Sequence, residues 1–421
     1  MPRNEIAPGV YITDVPGRKF KRNLVVFHLL LPGQRQTANE MALLPHVLER
    51  RCEAIPDPLL LSRKLFDLYG AELSLESFAA GPNRVLTLAV SCLKNGYALA
   101  GEDLEKECVE LLCNLLFFPK KSGGVFEAED VAIEREKQVD YLRSEMNDKR
   151  SYCLRQGRRA LYGGTQLGIE SAGYLEEMPK VTAESLYEAY ETMLRTARFE
   201  VVTCGADKDK VAELLAARLS NRQRAPVEPL GRMAVPQRQG MIHKSEGMDT
   251  AQGKLCIIAC SGRVSDAHSE AVMRVANAVL GGLPTSRLFV NVREKQSLCY
   301  YCASSYASLR GTLTMDSGVD HKNAKRAAEA MLHELEVLQK NPVTQEELDA
   351  AHSAIQNAFQ AAKDSPDSLV SWAFNERLRG TDLTLEQAAQ KVKAVEAEEV
   401  QKALADFIPS IEYILTNKEG L

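Results

Sequence analysis

One order of strand-like and helix-like segments occurs twice along this chain. In the first half, the apolar run NLVVFHLLL (23–31) is followed by a helix-type segment, TANEMALLPHVLERR (37–51). In the second half, KLCIIACSG (254–262) is followed by DAHSEAVMRVANAVLGG (266–282) in the same order. Such a repeat predicts two copies of one folding unit, each of roughly 200 residues, which is an ordinary domain size.

Further matches support the duplication and indicate the fold class. SRKLF (62–66) has the counterpart SRLF (286–289), and the segment FEAEDVAIEREKQVDYLRSE corresponds to VTQEELDAAHSAIQNAFQAA. In each copy, long helices follow pairs of adjacent strand-like segments. This order predicts an α+β fold in which a mostly antiparallel sheet carries helices on one face.

The two copies are separated by a segment of different character. Residues 221–240, NRQRAPVEPLGRMAVPQRQG, are rich in Pro, Arg and Gln and lack hydrophobic periodicity. This composition is typical of an exposed linker. We therefore predict one domain over 1–220 and a second over 241–421.

Composition argues against several function classes. The net charge of −5 gives no basic surplus of the kind that nucleic-acid binding requires. The chain has no apolar run long enough to cross a membrane, and its first residues lack the apolar stretch of a signal peptide. We therefore expect a cytoplasmic protein that binds neither nucleic acid nor membrane and keeps its ten cysteines reduced.

One cysteine pair has a spacing that could indicate a metal site. Cys299 and Cys302 lie in SLCYYCASSYA, which reads as a strand. Residues three apart on a strand point to opposite faces of the sheet. There is no second CxxC in the chain. These residues are therefore predicted to be structural thiols.

The stretch PHVLERR (45–51) carries His46, Glu49 and Arg50. On a helix, positions three and four apart share a face, so these three side chains should lie together. Histidine at position 50 would complete H-x-x-E-H, the inverted zinc-peptidase signature. Arginine instead offers a guanidinium, which has no lone pair for a metal and stays charged.

The second copy contains the most specific motif, GGLPTSRLFVNVREKQSLCYY (281–301). Together with the H-x-x-E-R helix and the duplication, it resembles the pitrilysin/insulinase/mitochondrial processing peptidase family of zinc metallopeptidases over nearly the whole chain. LYGAELS (68–74) and MNDKRSY (146–152) are similar to a short bacterial branch. In that branch some members lack the zinc residues and pair with a companion that has them. The resemblance implies a clamshell-type arrangement that closes over a peptide.

The resemblance also implies roles for the motif helix. Active members bind zinc through both histidines of H-x-x-E-H, and the glutamate activates water. Here His46 would be a vestigial ligand, Glu49 a vestigial base, and Arg50 would stand at the second ligand position. Catalytic zinc normally has three protein ligands, so we expect no metal and no other cofactor.

The third ligand of the family is the second glutamate of E-x-x-x-x-x-x-E on a later helix. Laid on EKQVDYLR, this pattern begins at Glu136 and places Arg143 at the ligand position. Glu134 and Glu145 are close by, so a shifted register that uses one of these three glutamates could restore a carboxylate. A weak or rearranged metal site at His46 stays open on that basis.

Two residues of the second copy match the family's substrate-binding pair. Arg293 and Tyr300 stand seven apart in VREKQSLCY, the spacing that the resemblance implies. Arginine supplies a fixed cation for a carbonyl oxygen or developing oxyanion, and tyrosine supplies a hydroxyl donor. We predict that both bind substrate and act in catalysis. The alternative is a surface arginine beside a core tyrosine.

Three functions follow in order of preference. The first is a zinc-less subunit that supplies Arg293 and Tyr300 to a related zinc-bearing partner for peptide hydrolysis, as a heterodimer. The second is a peptide-binding or scaffold protein with no proteolytic role. A homodimer in place of the heterodimer stays open. The third is a zinc metalloendopeptidase in its own right. In each case the expected ligand is a peptide or unfolded polypeptide, and the chain alone is expected to be inactive except in the third.

Overall fold

The computed structural model describes residues 1–417. They form two compact units, neither of which is continuous in sequence. Unit 1 consists of Met1–Arg143, Ile169–Gly231 and Lys363–Asp382. Unit 2 consists of Ser144–Gly168, Arg232–Ala362 and the described residues from Leu383 onward.

Strands account for the two large sheets and one small hairpin. In chain order they are β1 Arg3–Ala7, β2 Val10–Val15, β3 Arg22–Pro32, β4 Glu72–Ala80, β5 Asn83–Leu93, β6 Lys121–Ser122, β7 Val125–Phe126, β8 Arg198–Cys204, β9 Ile242–Gly247, β10 Gly253–Cys260, β11 Cys299–Ala307, β12 Thr312–Val319 and β13 Ile408–Thr416.

The α-helices follow the predicted amphipathic segments. They are α1 Ala38–Arg50, α2 Pro58–Asp67, α3 Leu104–Phe117, α4 Ala128–Ser144, α5 Lys149–Tyr162, α6 Ala183–Thr196, α7 Lys208–Leu219, α8 Ala267–Asn277, α9 Ala324–Lys340, α10 Gln345–Ala362, α11 Pro366–Arg379, α12 Leu385–Lys393 and α13 Ala397–Ala405. The segment Leu288–Lys295 forms a wider helix with π-type hydrogen bonding.

Each unit contains one mostly antiparallel sheet. In unit 1 the strand order is β1-β2-β8-β3-β5-β4, and only the β2–β8 pair is parallel. In unit 2 the order is β11-β12-β10-β13-β9, and only β13–β9 is parallel. The predicted fold class, two related α+β domains with mostly antiparallel sheets, is confirmed.

The second face of each sheet is covered by a helix from the other half of the chain. On β3, alternate residues point to opposite faces. Phe27 joins the main core of unit 1, whereas Leu24 and Val26 pack with Val370 and Ala373 of α11. In unit 2, α5 takes the corresponding position against β10 and β13.

The packing of α5 explains a glycine in its interior. A Cβ atom on Gly157 would lie 3.1 Å from Cys256 Sγ on β10. Glycine lowers the intrinsic stability of a helix by about 1 kcal/mol relative to alanine, but here it lets the helix lie close to the sheet. Each sequence copy therefore contributes one helix to the unit that the other copy mainly forms. The boundaries at 220 and 241 stay a prediction of where the two sequence copies end and begin.

The predicted linker has neither helix nor strand over 223–238. It is nevertheless tied down where it runs along unit 1. Arg224 donates to the carbonyl oxygens of Leu194 and Ala197, and the Asn83 side chain bonds both the N–H and the carbonyl oxygen of Leu230.

Candidate functional site

The polar residues of the motif helix α1 lie on one side of the helix because its apolar residues pack into the core of unit 1. Leu44, Val47 and Leu48 are buried in the main core of unit 1. His46 and Glu49 are consequently left outside that core, and His46 is exposed. The predicted shared face of the H-x-x-E-R motif is present in the structure.

Arg50 lies at the centre of a charged cluster between α1 and α4. Its Nε atom donates to Asp130 Oδ1 at 2.7 Å, and its Nη1 atom donates to Glu134 Oε1 at 2.8 Å. Arg51 Nε bonds the other Asp130 oxygen at 2.6 Å, and Lys137 Nζ lies 2.8 Å from Glu134 Oε1. The carboxylate side chains are only 4% and 9% exposed, so each depends on these cations for compensation of its buried charge.

The residue that faces the motif helix is not Arg143 but Glu134, one of the three glutamates that a shifted register allowed. Arg143, predicted at the third ligand position, is largely exposed and lies 3.6 Å from Asp140. Glu134 takes the place beside Arg50. Glu134 also follows Glu127 by seven residues, the spacing that the resemblance implies, so the E-x-x-x-x-x-x-E pattern begins nine residues earlier than the sequence analysis placed it.

The other two glutamates named in the sequence analysis do not join this cluster. Glu136 is exposed, and Glu145 pairs with Arg155 within unit 2. Asp130, Arg51 and Lys137 were missed. A signal for Asp130 was available, because residues four apart on a helix share a face and Asp130 stands four before Glu134.

The cluster changes the protonation of the motif residues. The His46 side chain reaches solvent, but the protein around it partly desolvates the imidazole and lowers its pKa, which favours the neutral form. Burial and the nearby Glu134 carboxylate raise the pKa of Glu49. Burial opposes the charge of Arg50, but hydrogen bonds to Glu134 and Asp130 outweigh it and raise the pKa of Arg50. The Arg50 guanidinium is therefore a permanent cation at this position of the motif.

An open cavity of about 440 Å³ lies beside the cluster. Its wall includes His46, Glu134, Lys137 and Tyr141, together with Glu76 of β4. Most of the residues that line it are polar or charged, and β4 is the edge strand of its sheet. The cavity is thus open to a polar ligand next to the motif helix.

These residues do not fit a catalytic zinc ion. His46 and Glu134 could each donate one lone pair, but the side chain at the remaining ligand position is the Arg50 guanidinium, which already bonds Glu134. Across residues 1–417 no three His, Cys, Asp or Glu side chains are arranged to hold a metal ion. Without a zinc-bound water of lowered pKa, Glu49 has no nucleophile that it could activate by taking up a proton.

The structure brings Arg293 and Tyr300 together in unit 2. Arg293 Nε donates to the backbone carbonyl oxygen of Tyr300 at 2.9 Å. The guanidinium also bonds Glu294 at 2.5 Å and lies 4.5 Å from the centre of the Phe289 ring. Tyr300 is 57% exposed, so it is not the core tyrosine of the alternative interpretation.

The turn between these two residues is strained. Ser297 has φ of 51°, a left-handed conformation that is uncommon outside glycine and costs of order 1–3 kcal/mol. It joins the wide helix Leu288–Lys295 to β11 and thereby returns the chain to Arg293. Strain of this kind is concentrated at functional segments.

The prediction that Cys299 and Cys302 point to opposite faces is wrong. Cys299 pairs with Val319, and Cys302 pairs with Ser317. The chain therefore advances three positions along β11 while it advances two along β12. The additional residue, Tyr300, forms a β-bulge, which shifts the alternation by one. Both cysteines therefore lie on the same face.

Comparisons with known proteins agree with this geometry. Residues 180–355 match the family described as "Peptidase M16 inactive domain". A Bacillus subtilis protein named "Probable inactive metalloprotease YmfF" is 24% identical over 96% of this chain and 95% of its own length.

Two crystal structures have the same fold. A conserved protein from Enterococcus faecalis has a TM-score of 0.91 at 24% identity, covering 99% of this chain and 98% of the other. A peptidase M16 inactive domain from Pseudomonas fluorescens has a TM-score of 0.80 at 16% identity, with coverage of 99% and 98%.

Fold and site define a two-unit α+β protein, and its residues 180–355 match a peptidase M16 family model. The chain resembles the M16, or pitrilysin/insulinase, family of metallopeptidases, as the sequence predicted, and it is similar to a relative that is named as inactive. None of the helices within residues 1–417 is long and apolar enough to span a membrane.

Proposed function

We propose that this protein is the non-catalytic subunit of an M16-type metallopeptidase pair. It supplies Arg293 and Tyr300 to an active site whose zinc and H-x-x-E-H helix belong to a related partner chain. The substrate is a peptide or an unfolded polypeptide. The pair is a heterodimer, and neither chain alone has the complete set of groups.

The single observation that carries the proposal is the ion pair between Arg50 and Glu134. It places a permanent cation against the carboxylate that a zinc site would need, which is incompatible with metal catalysis by this chain. The similarity to a relative named as inactive supports the same conclusion.

Arg293 and Tyr300 support a role beyond a scaffold. The guanidinium is held by the Tyr300 carbonyl group and by Phe289, while part of it stays exposed. A positioned cation next to an exposed phenol can bind a peptide carbonyl oxygen and stabilise the oxyanion that forms during hydrolysis. Such donors act without reorganisation because their own contacts already fix them.

The test uses a chain with intact H-x-x-E-H from the same genome. The two proteins are purified separately and together, and cleavage of a quenched fluorescent peptide library is measured. We expect activity only in the mixture, and Arg293→Ala should reduce kcat about a hundredfold, the effect of one lost oxyanion donor. Arg326→Ala, an exposed arginine on α9 of the same unit, is the matched control.

Other outcomes would support the alternatives. Full activity of the mixture with Arg293→Ala would refute the supply of this residue and leave a peptide-binding or scaffold protein. Zinc-dependent cleavage by the purified chain alone, lost on His46→Ala, would instead show a peptidase in its own right.

A further inference from the structure

The β-bulge that carries Tyr300 lies opposite one glycine of the neighbouring strand. Tyr301 pairs with Gly318 of β12, and Tyr300 is the additional residue of β11. β11 is the edge strand of its sheet, where a bulge can redirect a side chain. Because the additional residue has no partner of its own in the ladder, its direction depends on what holds the residues beside it.

Both carbonyl oxygens of the bulge accept a hydrogen bond from a side chain. Arg293 Nε donates to the Tyr300 oxygen at 2.9 Å, and Ser317 Oγ donates to the Tyr301 oxygen at 2.7 Å. Ser317 is 0% exposed, so removal of its hydroxyl leaves a buried oxygen without that donor. Two consecutive peptide groups are thus held by side chains from two different elements, the wide helix and β12.

Gly318 leaves room for the Tyr301 ring on the sheet. A Cβ atom on Gly318 would lie 2.6 Å from Tyr301 Cε1 and 2.9 Å from Cδ1, closer than real Cβ atoms approach their neighbours. The Arg150 guanidinium and Lys254 Nζ lie 4.8 Å and 5.4 Å from the centre of the ring. The ring therefore packs directly against the backbone of the glycine, as aromatic side chains do beside glycines in sheets.

The strained turn before the bulge requires a fixed end of this kind. Ser297 keeps its φ of 51° only if the surrounding structure holds the chain on both sides. The wide helix Leu288–Lys295 holds one side, and the contacts of Ser317 and Gly318 hold the other. Loss of these contacts should therefore loosen the whole segment 297–302.

We propose that Ser317 and Gly318 are positioning residues, which hold the bulge in the conformation that presents Tyr300 and Arg293 to a ligand. Ser317 fixes the Tyr301 carbonyl group, and Gly318 fixes the direction of the Tyr301 ring. Tyr300, 57% exposed, is then directed to solvent, and its carbonyl oxygen stays in place for Arg293. The effect on ligand binding and catalysis rests on the proposed function, whereas the restraint of the bulge does not.

The first measurement is amide hydrogen exchange of the full-length chain without a partner. In Ser317→Ala and in Gly318→Ala, the segment 297–302 should exchange at least about threefold faster than in the wild type. Peptides from β10 should exchange at the wild-type rate, which separates local loosening from a loss of overall stability. Ser304→Ala is the matched control, because this serine of β11 is also buried but its hydroxyl donates to Asn277.

The second measurement is peptide cleavage by the chain together with its zinc-bearing partner. Ser317→Ala should lower kcat about tenfold and change KM less than about twofold, because misplacement of the binding pair affects the transition state most. Ser317→Ala/Arg293→Ala should be less than about twofold slower than Arg293→Ala alone, since a residue that acts through Arg293 then has nothing left to position. A purely structural role would lower the rate by the same factor in both backgrounds.

The Tyr301 ring provides a second cycle. Gly318→Ala displaces the ring and Tyr301→Ala removes it, so the double variant should exchange no faster in 297–302 than Tyr301→Ala does. Additive effects would show that Gly318 acts in some other way and would overturn its part of the proposal.

The inference and the proposed function fail in different ways. Wild-type exchange in both β12 variants, or faster exchange with unchanged kcat while Arg293→Ala is slow, overturns the inference and leaves the proposed function intact. Full activity of Arg293→Ala overturns the proposed function, and faster exchange in Ser317→Ala and Gly318→Ala still supports the restraint of the bulge.

Discussion

Arg50→His should convert the charged cluster of unit 1 into a zinc site. A histidine at position 50 stands four residues after His46 on the same face of α1. Removal of the guanidinium also releases Glu134 from Arg50, which holds it at 2.8 Å, and leaves Lys137 as its charged partner. The three ligands of an inverted H-x-x-E-H site would then be His46, His at position 50 and Glu134.

The structure sets the size of the expected effect. Breaking a buried ion pair by removing one partner typically costs 3–5 kcal/mol. Here Arg51 remains on Asp130 and Lys137 remains on Glu134, so we expect the metal-free variant to lose about 2 kcal/mol of unfolding free energy. Free zinc at a thousand times its Kd should then stabilise the variant by about 4 kcal/mol.

The assay is urea denaturation with zinc or with EDTA, together with metal content by mass spectrometry after dialysis. Arg50→His should retain about one equivalent of zinc, as a three-ligand site predicts. Arg50→Gln removes the same charge but offers no imidazole, so zinc should not stabilise it. Arg50→His/Glu134→Gln removes the third ligand and should lose most of the effect.

Two results would refute this reasoning. If zinc stabilises Arg50→His no more than Arg50→Gln, then His46 and Glu134 are not placed to share a metal ion. If the wild-type protein itself keeps one equivalent of zinc, the interpretation of Arg50 as the obstacle is wrong.

Three further predictions test other parts of the structure. Burial lowers the pKa of His28 to about 3, so below pH 6.5 the unfolded state binds a proton that the folded state does not, and the unfolding free energy decreases as the pH is lowered. From pH 7 to pH 5 the wild type should lose about 2 kcal/mol more than His28→Gln in urea titrations. An equal loss in both proteins would contradict this. Gly157→Ala should be nearly neutral, because helix propensity offsets the 3.1 Å approach to Cys256, whereas Gly157→Leu should cost about 1–3 kcal/mol by chemical denaturation; equal costs would argue against close packing of α5. Arg84 donates to three backbone carbonyl oxygens, so Arg84→Met should lower the unfolding free energy by about 3 kcal/mol, and a loss below about 0.5 kcal/mol would show that water replaces these bonds.

The duplicated α+β plan could be predicted because it depends on local pattern. Continuous apolar runs such as β3 and amphipathic segments such as α9 identify the elements and their order. The exchange of α5 and α11 could not be predicted in this way. An amphipathic helix shows which of its faces is buried, but not which of two similar sheets it is buried against.

The register of the third ligand position needed the structure for a different reason. The segment from Glu127 to Glu145 is rich in glutamate, so a glutamate spacing alone fits several alignments. The structure selects Glu134, because this carboxylate contacts Arg50. The register could have been chosen by charge pairing between α1 and α4. A half-buried Arg50 requires an acidic partner, so the alignment that places a carboxylate opposite Arg50 is favoured.

The cysteine pair shows the limit of the alternation rule. Opposite faces follow from a spacing of three only when every residue takes part in the ladder. Tyr300 does not, and one inserted residue returns Cys302 to the face of Cys299. Neither composition nor periodicity indicates a single bulge of this kind.

The position of Arg50 also explains why an acidic pair can persist without a metal ion. Asp130 and Glu134 are almost fully buried, and two such carboxylates need opposite charge nearby to remain in a folded protein. A zinc ion would supply two positive charges, and here Arg50, Arg51 and Lys137 supply three. The guanidinium thus takes over the electrostatic part of the metal's role while it lacks the part that activates water. It follows that Arg50→Gln should lower the unfolding free energy of unit 1 more than Glu49→Gln does. Burial already disfavours the charged form of Glu49, so its replacement by a neutral residue removes little stabilisation.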